Sequence, residues 1–149
     1  MSAALTLAKP EHLEKLVALV EAFHAEEGIS STDETRRAGV LPLLEGIPHG
    51  CAYLIGPPKA PIGYIVICFG WSVEFGGMDA IIDELFIRSG VRGRGIASEA
   101  LIALPRALSS FGLRAIHLEV DKDNPAARKL YGRAGFVARE KYMLMSRRL

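Results

Sequence analysis

One stretch restricts the fold of this chain more than any other: IIDELFIRSGVRGRGIASEALIALPRAL, Ile81 to Leu108. An apolar run of strand character meets Gly90, Gly93 and Gly95, interleaved with Arg88, Arg92 and Arg94. Apolar residues at helical spacing follow: Ala97, Ala100, Leu101, Leu104, Leu108 and Phe111 share one face, and Gly112 is a stop signal. Pro105 lies inside this helix, where it should bend it or remove a hydrogen bond. Glycines between a strand and a helix permit positive φ and let a ligand approach the backbone without meeting a Cβ. The helix start presents unpaired N–H groups and the positive end of its dipole, which suits a phosphate. Arg92 and Arg94 add charge and geometry for phosphate oxygens. The stretch therefore predicts a strand–turn–helix unit that holds a phosphorylated ligand. Its plainer reading is a tight turn with solvated arginines.

Common phosphate motifs do not fit. No GxxxxGK[ST] string is present, and GRGIAS offers Gly93 and Gly95 but Ser98 where a dinucleotide fingerprint needs its third glycine. RNA-binding RGG segments are repeated and disordered, whereas this copy is single and flanked by core elements. The 18 basic and 17 acidic residues leave a formal charge of +1, which argues against a nucleic-acid binder. No apolar run approaches the roughly 18 residues of a membrane span, and no secretory signal opens the chain, so a soluble cytoplasmic protein is expected. Cys51 and Cys68 should face each other across a hairpin centred near Lys59, as small buried hydrophobes rather than a disulfide. His12, His24, His49 and His117 are scattered without metal-ligand spacing, so no metal site is expected.

At 149 residues the chain has the size of one domain, expected to run from 1 to 149. ALTLAK reads as a first strand. Pro10 suits a first helical position, Leu13, Leu16, Val17, Val20 and Phe23 follow at helical spacing, and Gly28 closes the helix. A second helical pattern, interrupted at Pro42, is followed by a hairpin of GCAYLIG and PIGYIVICFGWSVEF around PPKAP. Asp79–Ile87 is the next strand, LRAIHLEV returns as another, and Asn124 with Pro125 starts a last helix. FVAREKYMLMSRRL should add one or two final strands. This order specifies an α/β domain with a mixed, mostly antiparallel sheet of about six to seven strands and about four helices.

Two patterns in the chain belong together. Arg92, Gly95 and Ala97 satisfy [R/Q]-x-x-G-x-[G/A] directly after the ELFI strand, and NPAARKLYGRAGF follows about 30 residues on. With both in this order, the chain resembles the GNAT superfamily of acetyl-CoA-dependent N-acetyltransferases, most specifically between about Asp79 and Phe136. The resemblance implies a GNAT fold and acetyl-CoA as cofactor. Backbone N–H groups of Arg92, Gly93, Arg94, Gly95, Ile96, Ala97 and Ser98 would hold the pyrophosphate. The strand Leu85, Phe86 and Ile87 would hydrogen-bond the pantetheine arm and the acetyl carbonyl, splaying from its neighbour to leave a slot for the thioester. Ser89 stands where the family often has proline, which makes a looser loop. Asn124 matches the family asparagine that contacts the CoA arm, as well as being a helix cap, and Arg128 is a further phosphate contact.

Acetyl transfer to an amine needs a neutral nucleophile. An alkyl amine with a pKa near 10.4 is neutral in about one molecule in a few thousand at pH 7, so a carboxylate base is useful. The resemblance implies Glu84, on the motif strand, as that base, with Asp83 on the opposite face by strand alternation. It implies Tyr131 as the acid that protonates the departing sulfur. On the acceptor side Glu26, Glu27, Trp71 and Glu74 suit a small cationic amine. Rival readings are a protein or peptide N-acetyltransferase and a non-catalytic CoA-binding regulatory module. The apolar YMLM segment could pair with a second chain in a homodimer.

Overall fold

The β-rich runs pair in the order in which they occur. β1 (Leu5–Leu7), β2 (Gly50–Ile55), β3 (Gly63–Ser72), β4 (Gly77–Ile87) and β5 (Ala115–Leu118) form one sheet in the order β1-β2-β3-β4-β5. The first three pairings are antiparallel and β4–β5 is parallel. A parallel pair needs a crossover, and α3 (Ile96–Ala107) supplies it. Helices α1 (Leu13–Glu27) and α2 (Asp33–Leu44) connect β1 to β2. The computed structural model describes residues 3–149, which divide into a unit ending at Glu119 and a second from Val120 to Leu149 that contains α4 (Pro125–Arg133).

Leu16, Val17, Leu19 and Val20 of α1, with Val40 and Leu44 of α2, pack on Ala52, Leu54, Tyr64, Val66 and Phe86. Leu16 and Leu54 are fully buried, which removes enough apolar surface to favour folding by roughly 1.5–3 kcal/mol each. Strand alternation sends Tyr53 to the other face, where its hydroxyl donates to Ala107 O of α3 at 3.4 Å. The sheet is thus covered on both faces.

Most predicted boundaries agree with the structure, and the differences have local causes. Pro10 opens a short 3-10 turn, Pro10–His12, and the α-helix begins only at Leu13. His12 Nδ1 accepts from Lys9 N–H at 3.0 Å and tightens that turn. Gly28 ends α1 at φ 69°, and Thr32 caps α2 by accepting from Thr35 N–H at 3.1 Å. Pro42 and Pro105 sit inside α2 and α3 without interrupting them, each within the last turn, where a missing N–H costs one bond. Cys51 pairs with Ile67 and Cys68 with Gly50, so the two thiols sit one register step apart on opposite faces, both free. Burial pushes the Cys51 thiol up to about 11.

Among the described residues the sheet has five strands, and the segment from 137 to 149 carries none. Alternating apolar residues there favour an extended chain, but a strand exists only with a ladder partner, which periodicity does not supply. In the second unit Asn124 Oδ1 accepts from Ala127 N–H at 3.0 Å with Pro125 at the first helical position, as predicted. Among the described residues no helix is long and apolar enough to cross a membrane.

Candidate active site

The motif strand is irregular where the chemistry is expected. In the β3–β4 ladder Val66 faces Glu84 and Ile67 faces Ile82, so Asp83 is an extra, unpaired residue: a β-bulge. On the other side, the parallel ladder to β5 stops at the Ile82–Leu118 pair. From Asp83 to Ile87 the backbone of β4 therefore has no ladder partner on that side among the described residues. The bulge also resets the alternation of side chains. Asp83 is not screened from Glu84 by the sheet: desolvation first, then the charges of Glu84 and Glu119, hold its carboxyl above the usual range, with His24 opposing. Asp83 is exposed to water. The bulge means that simple strand alternation, the basis for expecting Asp83 on the opposite face, does not hold across Ile82–Glu84.

Glu84 is largely buried and both its oxygens are engaged. Tyr64 O–H donates to Oε1 at 2.9 Å, and His24 Nε2 lies 2.7 Å from Oε2. Burial first, then the charge of Glu84, pushes the Tyr64 phenol far above its ordinary value, so it remains a donor at any working pH. His24 Nδ1 lies 2.8 Å from Ser31 Oγ, which is 3.0 Å from Arg36 Nη1. Phe23, Tyr64 and Phe86 pack around these groups with ring centroids 5.7–6.3 Å apart. Sequence reading missed His24 and Tyr64. Tyr64 carried a signal, because a buried tyrosine in an apolar strand must find an acceptor for its hydroxyl. His24 carried none, being 60 residues from Glu84.

The glycine turn has the geometry that the spacing predicts. Gly93 and Gly95 are both at φ 76°, and a Cβ at either would point into open space. The N–H groups of Gly93, Arg94, Gly95, Ile96, Ala97 and Ser98 donate to no backbone carbonyl among the described residues, and no side chain caps α3. These donors at a helix start fit a pyrophosphate. Arg92 is differently employed. Its Nε donates to Ile87 O at 2.8 Å, its Nη2 meets Glu26 Oε2 at 2.6 Å, and its guanidinium lies 5.5 Å from the Phe86 centroid. It ties the turn to the end of β4 and to α1. Leu85, Phe86 and Ile87 lie where β4 is unpaired toward β5.

The four acceptor-side residues do not converge. Glu26 is paired with Arg92, and Glu27 is exposed at the end of α1. Trp71 faces Met78, five positions along β3 from Val66, or about 17 Å by strand rise. It is 74% exposed, and Glu74 lies in the turn beyond it. In the second unit, Tyr131 packs edge-on to Phe136 at 6.3 Å, and Arg128 Nη2 meets Glu140 Oε1 at 2.5 Å. Among the described residues no group of three or more His, Cys, Asp or Glu is placed to hold a metal ion.

A family model described as "Acetyltransferase (GNAT) family" matches residues 16–136. The chain belongs to the GNAT acetyltransferase family. An N-acetyltransferase of Bacillus subtilis strain 168, YycN, described as uncharacterized, is 39% identical over 71 residues, covering 48% of this chain and 44% of that protein. The match spans less than half the length of that relative. Among solved structures, an integron cassette protein from the mobile metagenome of Cole Harbour Salt Marsh is similar at 28% identity and TM-score 0.83, covering 97% of this chain and 90% of its own. AAC(6')-Iy, solved with the bisubstrate analogue CoA-S-monomethyl-acetylneamine, shares the fold at 17% identity and TM-score 0.81, covering 98% of both chains. This GNAT family member thus has an α/β fold with a mixed sheet.

Proposed function

We propose that this GNAT acetyltransferase moves an acetyl group from acetyl-CoA directly to a primary amine of a small cationic molecule. Glu84 is the base and Tyr131 the acid. One observation carries the reading: a largely buried carboxylate, held on both oxygens, stands where β4 becomes free of β5. Acetyl-CoA supplies the activated thioester. The donors of Gly93 to Ser98 bind its pyrophosphate, and the Leu85–Ile87 backbone aligns its arm and polarises the carbonyl. Glu84 takes a proton from the ammonium group, the C–N bond forms, the C–S bond breaks as Tyr131 protonates the leaving sulfur, and the second proton lost by the attacking nitrogen passes to solvent, from which Tyr131 is reprotonated. Asp83, Glu84 and Glu119 make the surroundings of the base acidic, which favours a cation over a neutral or anionic acceptor. The bisubstrate complex of AAC(6')-Iy supports a small amine as one arm of the test. A thiol-release assay with acetyl-CoA and a panel of polyamines, aminoglycosides and lysine peptides decides it. Turnover confined to lysine peptides would replace the small-molecule reading, and no turnover with any amine would leave a binding module.

Two substitutions probe the cofactor side. Tyr131→Phe should lower kcat roughly 10- to 10³-fold, within the usual range for general acid–base groups. An unchanged kcat removes Tyr131 from the reaction. Gly95→Ala places a Cβ in a left-handed conformation that costs about 1–2 kcal/mol, at the opening that the pyrophosphate would fill. The strain itself falls on folding, but the Cβ in that opening should obstruct the pyrophosphate, and calorimetry should show CoA binding weakened about 10-fold or more, about 1.4 kcal/mol. Gly28→Ala, equally left-handed but at the end of α1, should leave CoA affinity unchanged. Equal affinities in both variants would rule out the turn as the cradle.

A further inference from the structure

The residues behind Glu84 form a chain of hydrogen bonds with a definite direction. A guanidinium can only donate, so Arg36 Nη1 donates to Ser31 O at 2.7 Å and to Ser31 Oγ at 3.0 Å. The Ser31 hydroxyl keeps its own proton and a second lone pair, so the 2.8 Å contact to His24 Nδ1 takes its direction from the histidine. The Glu84 carboxylate can only accept, so the ring proton of a neutral His24 is on Nε2, which donates to Oε2 at 2.7 Å, and the bare Nδ1 accepts from the Ser31 hydroxyl. Tyr64 donates to the other oxygen, Oε1, at 2.9 Å. The buried Nε of Arg36 has no hydrogen-bond partner among the described residues. Its Nη2 has only a distant Glu21 Oε1 at 3.8 Å.

On the reading that Glu84 is the base, we infer that His24 is the positioning residue for it, with the carboxylate setting the His24 tautomer and Ser31 and Arg36 completing the chain behind the ring. Two donors on two different oxygens fix the plane of the Glu84 carboxylate. Each oxygen keeps a lone pair, so the anion can still take a proton from the amine. Phe23 and Phe86 pack about the pair and lower the local dielectric, which strengthens these bonds. His24, Ser31 and Arg36 act through Glu84. The base is thereby assembled from α1, α2, the loop between them and two strands, β3 and β4.

Ring-¹⁵N histidine spectra of the intact protein at neutral pH test the tautomer without a substrate. The expected pattern for His24 has its proton on Nε2 and a bare, hydrogen-bonded Nδ1, and Ser31→Ala should move the Nδ1 resonance alone. A proton on Nδ1 with a bare Nε2 would overturn the inference. Kinetics with the panel amine of highest turnover test the role. His24→Leu should lower kcat about 10- to 10²-fold, the scale of a misplaced catalytic group, with the KM for acetyl-CoA unchanged within about twofold. His24→Gln offers an amide donor near the same place and should recover kcat to within about fivefold. In a Glu84→Gln background, His24→Leu should cost less than about twofold more, since a positioning residue matters only through its target. Full additivity, or full kcat in His24→Leu, would overturn the role. Thermal melts of each variant separate loss of fold from loss of position. Full kcat in Glu84→Gln alone would instead sink the base assignment, a different failure from a wrong tautomer.

Discussion

Glu84→Gln is expected to lower kcat/KM for acetyl transfer roughly 10²- to 10⁴-fold, the range for loss of a positioned general base. Glutamine keeps the size and can still accept from the Tyr64 hydroxyl, but it cannot take a proton from an ammonium group. Its amide would also set a donor against His24 Nε2, where the carboxylate has an acceptor 2.7 Å away. The loss should be greatest at pH values where the amine is protonated. It should shrink as pH rises toward the amine pKa, near 10.4 for an alkyl amine, because a neutral nucleophile no longer needs the base. The ratio of wild-type to variant kcat/KM across pH is the measurement, and a flat ratio counts against the base role.

Gly63→Ala should cause a large loss of stability. Gly63 lies opposite Ile87 in the β3–β4 ladder, and a Cβ on it would sit 2.2 Å from Phe86 O and 3.0 Å from Ile87 Cδ1. The first contact is with backbone, so the strand must move rather than a side chain. Overpacking of this kind costs about 1–3 kcal/mol, and near the upper end the melting temperature falls by roughly 5 to 10 °C. The displaced atoms belong to Phe86 and Ile87, so CoA affinity should fall with stability. Gly39→Ala is the contrast: it is exposed inside α2 with nothing within 4 Å of a new Cβ, and should stabilise by up to about 1 kcal/mol. An unchanged melting temperature in Gly63→Ala would show that β3 and β4 can separate freely.

Local features of the site were legible because the chemistry itself is local. The turn from Arg92 to Ser98 needs only glycines at two positive-φ positions and a helix start, and each is encoded within a few residues. The Asn124–Pro125 start of α4 and the Thr32 cap are legible for the same reason. Arg92 shows the limit of that reading. Its side chain is long, and the acceptors that engage it, Ile87 O and Glu26, depend on where α1 ends relative to β4. The bulge at Asp83 is equally illegible, since it arises from the offset between two strands and not from the composition of either. The absence of a strand from 137 to 149 among the described residues has a related cause, for extended character is a property of a segment and pairing is a property of two.

By itself, then, the sequence determined the order of elements, the strand–glycine turn–helix unit, the helix caps and Glu84 as the carboxylate of the motif strand. These follow from periodicity, from φ preferences and from short-range hydrogen bonds. Only the tertiary structure decided what Glu84 touches. His24, Tyr64, Ser31 and Arg36 come from separate elements and meet at hydrogen-bond distance because the packing of α1 and α2 on the sheet brings them there. Packing is set by the sum of many apolar contacts, so no single residue in the chain announces it.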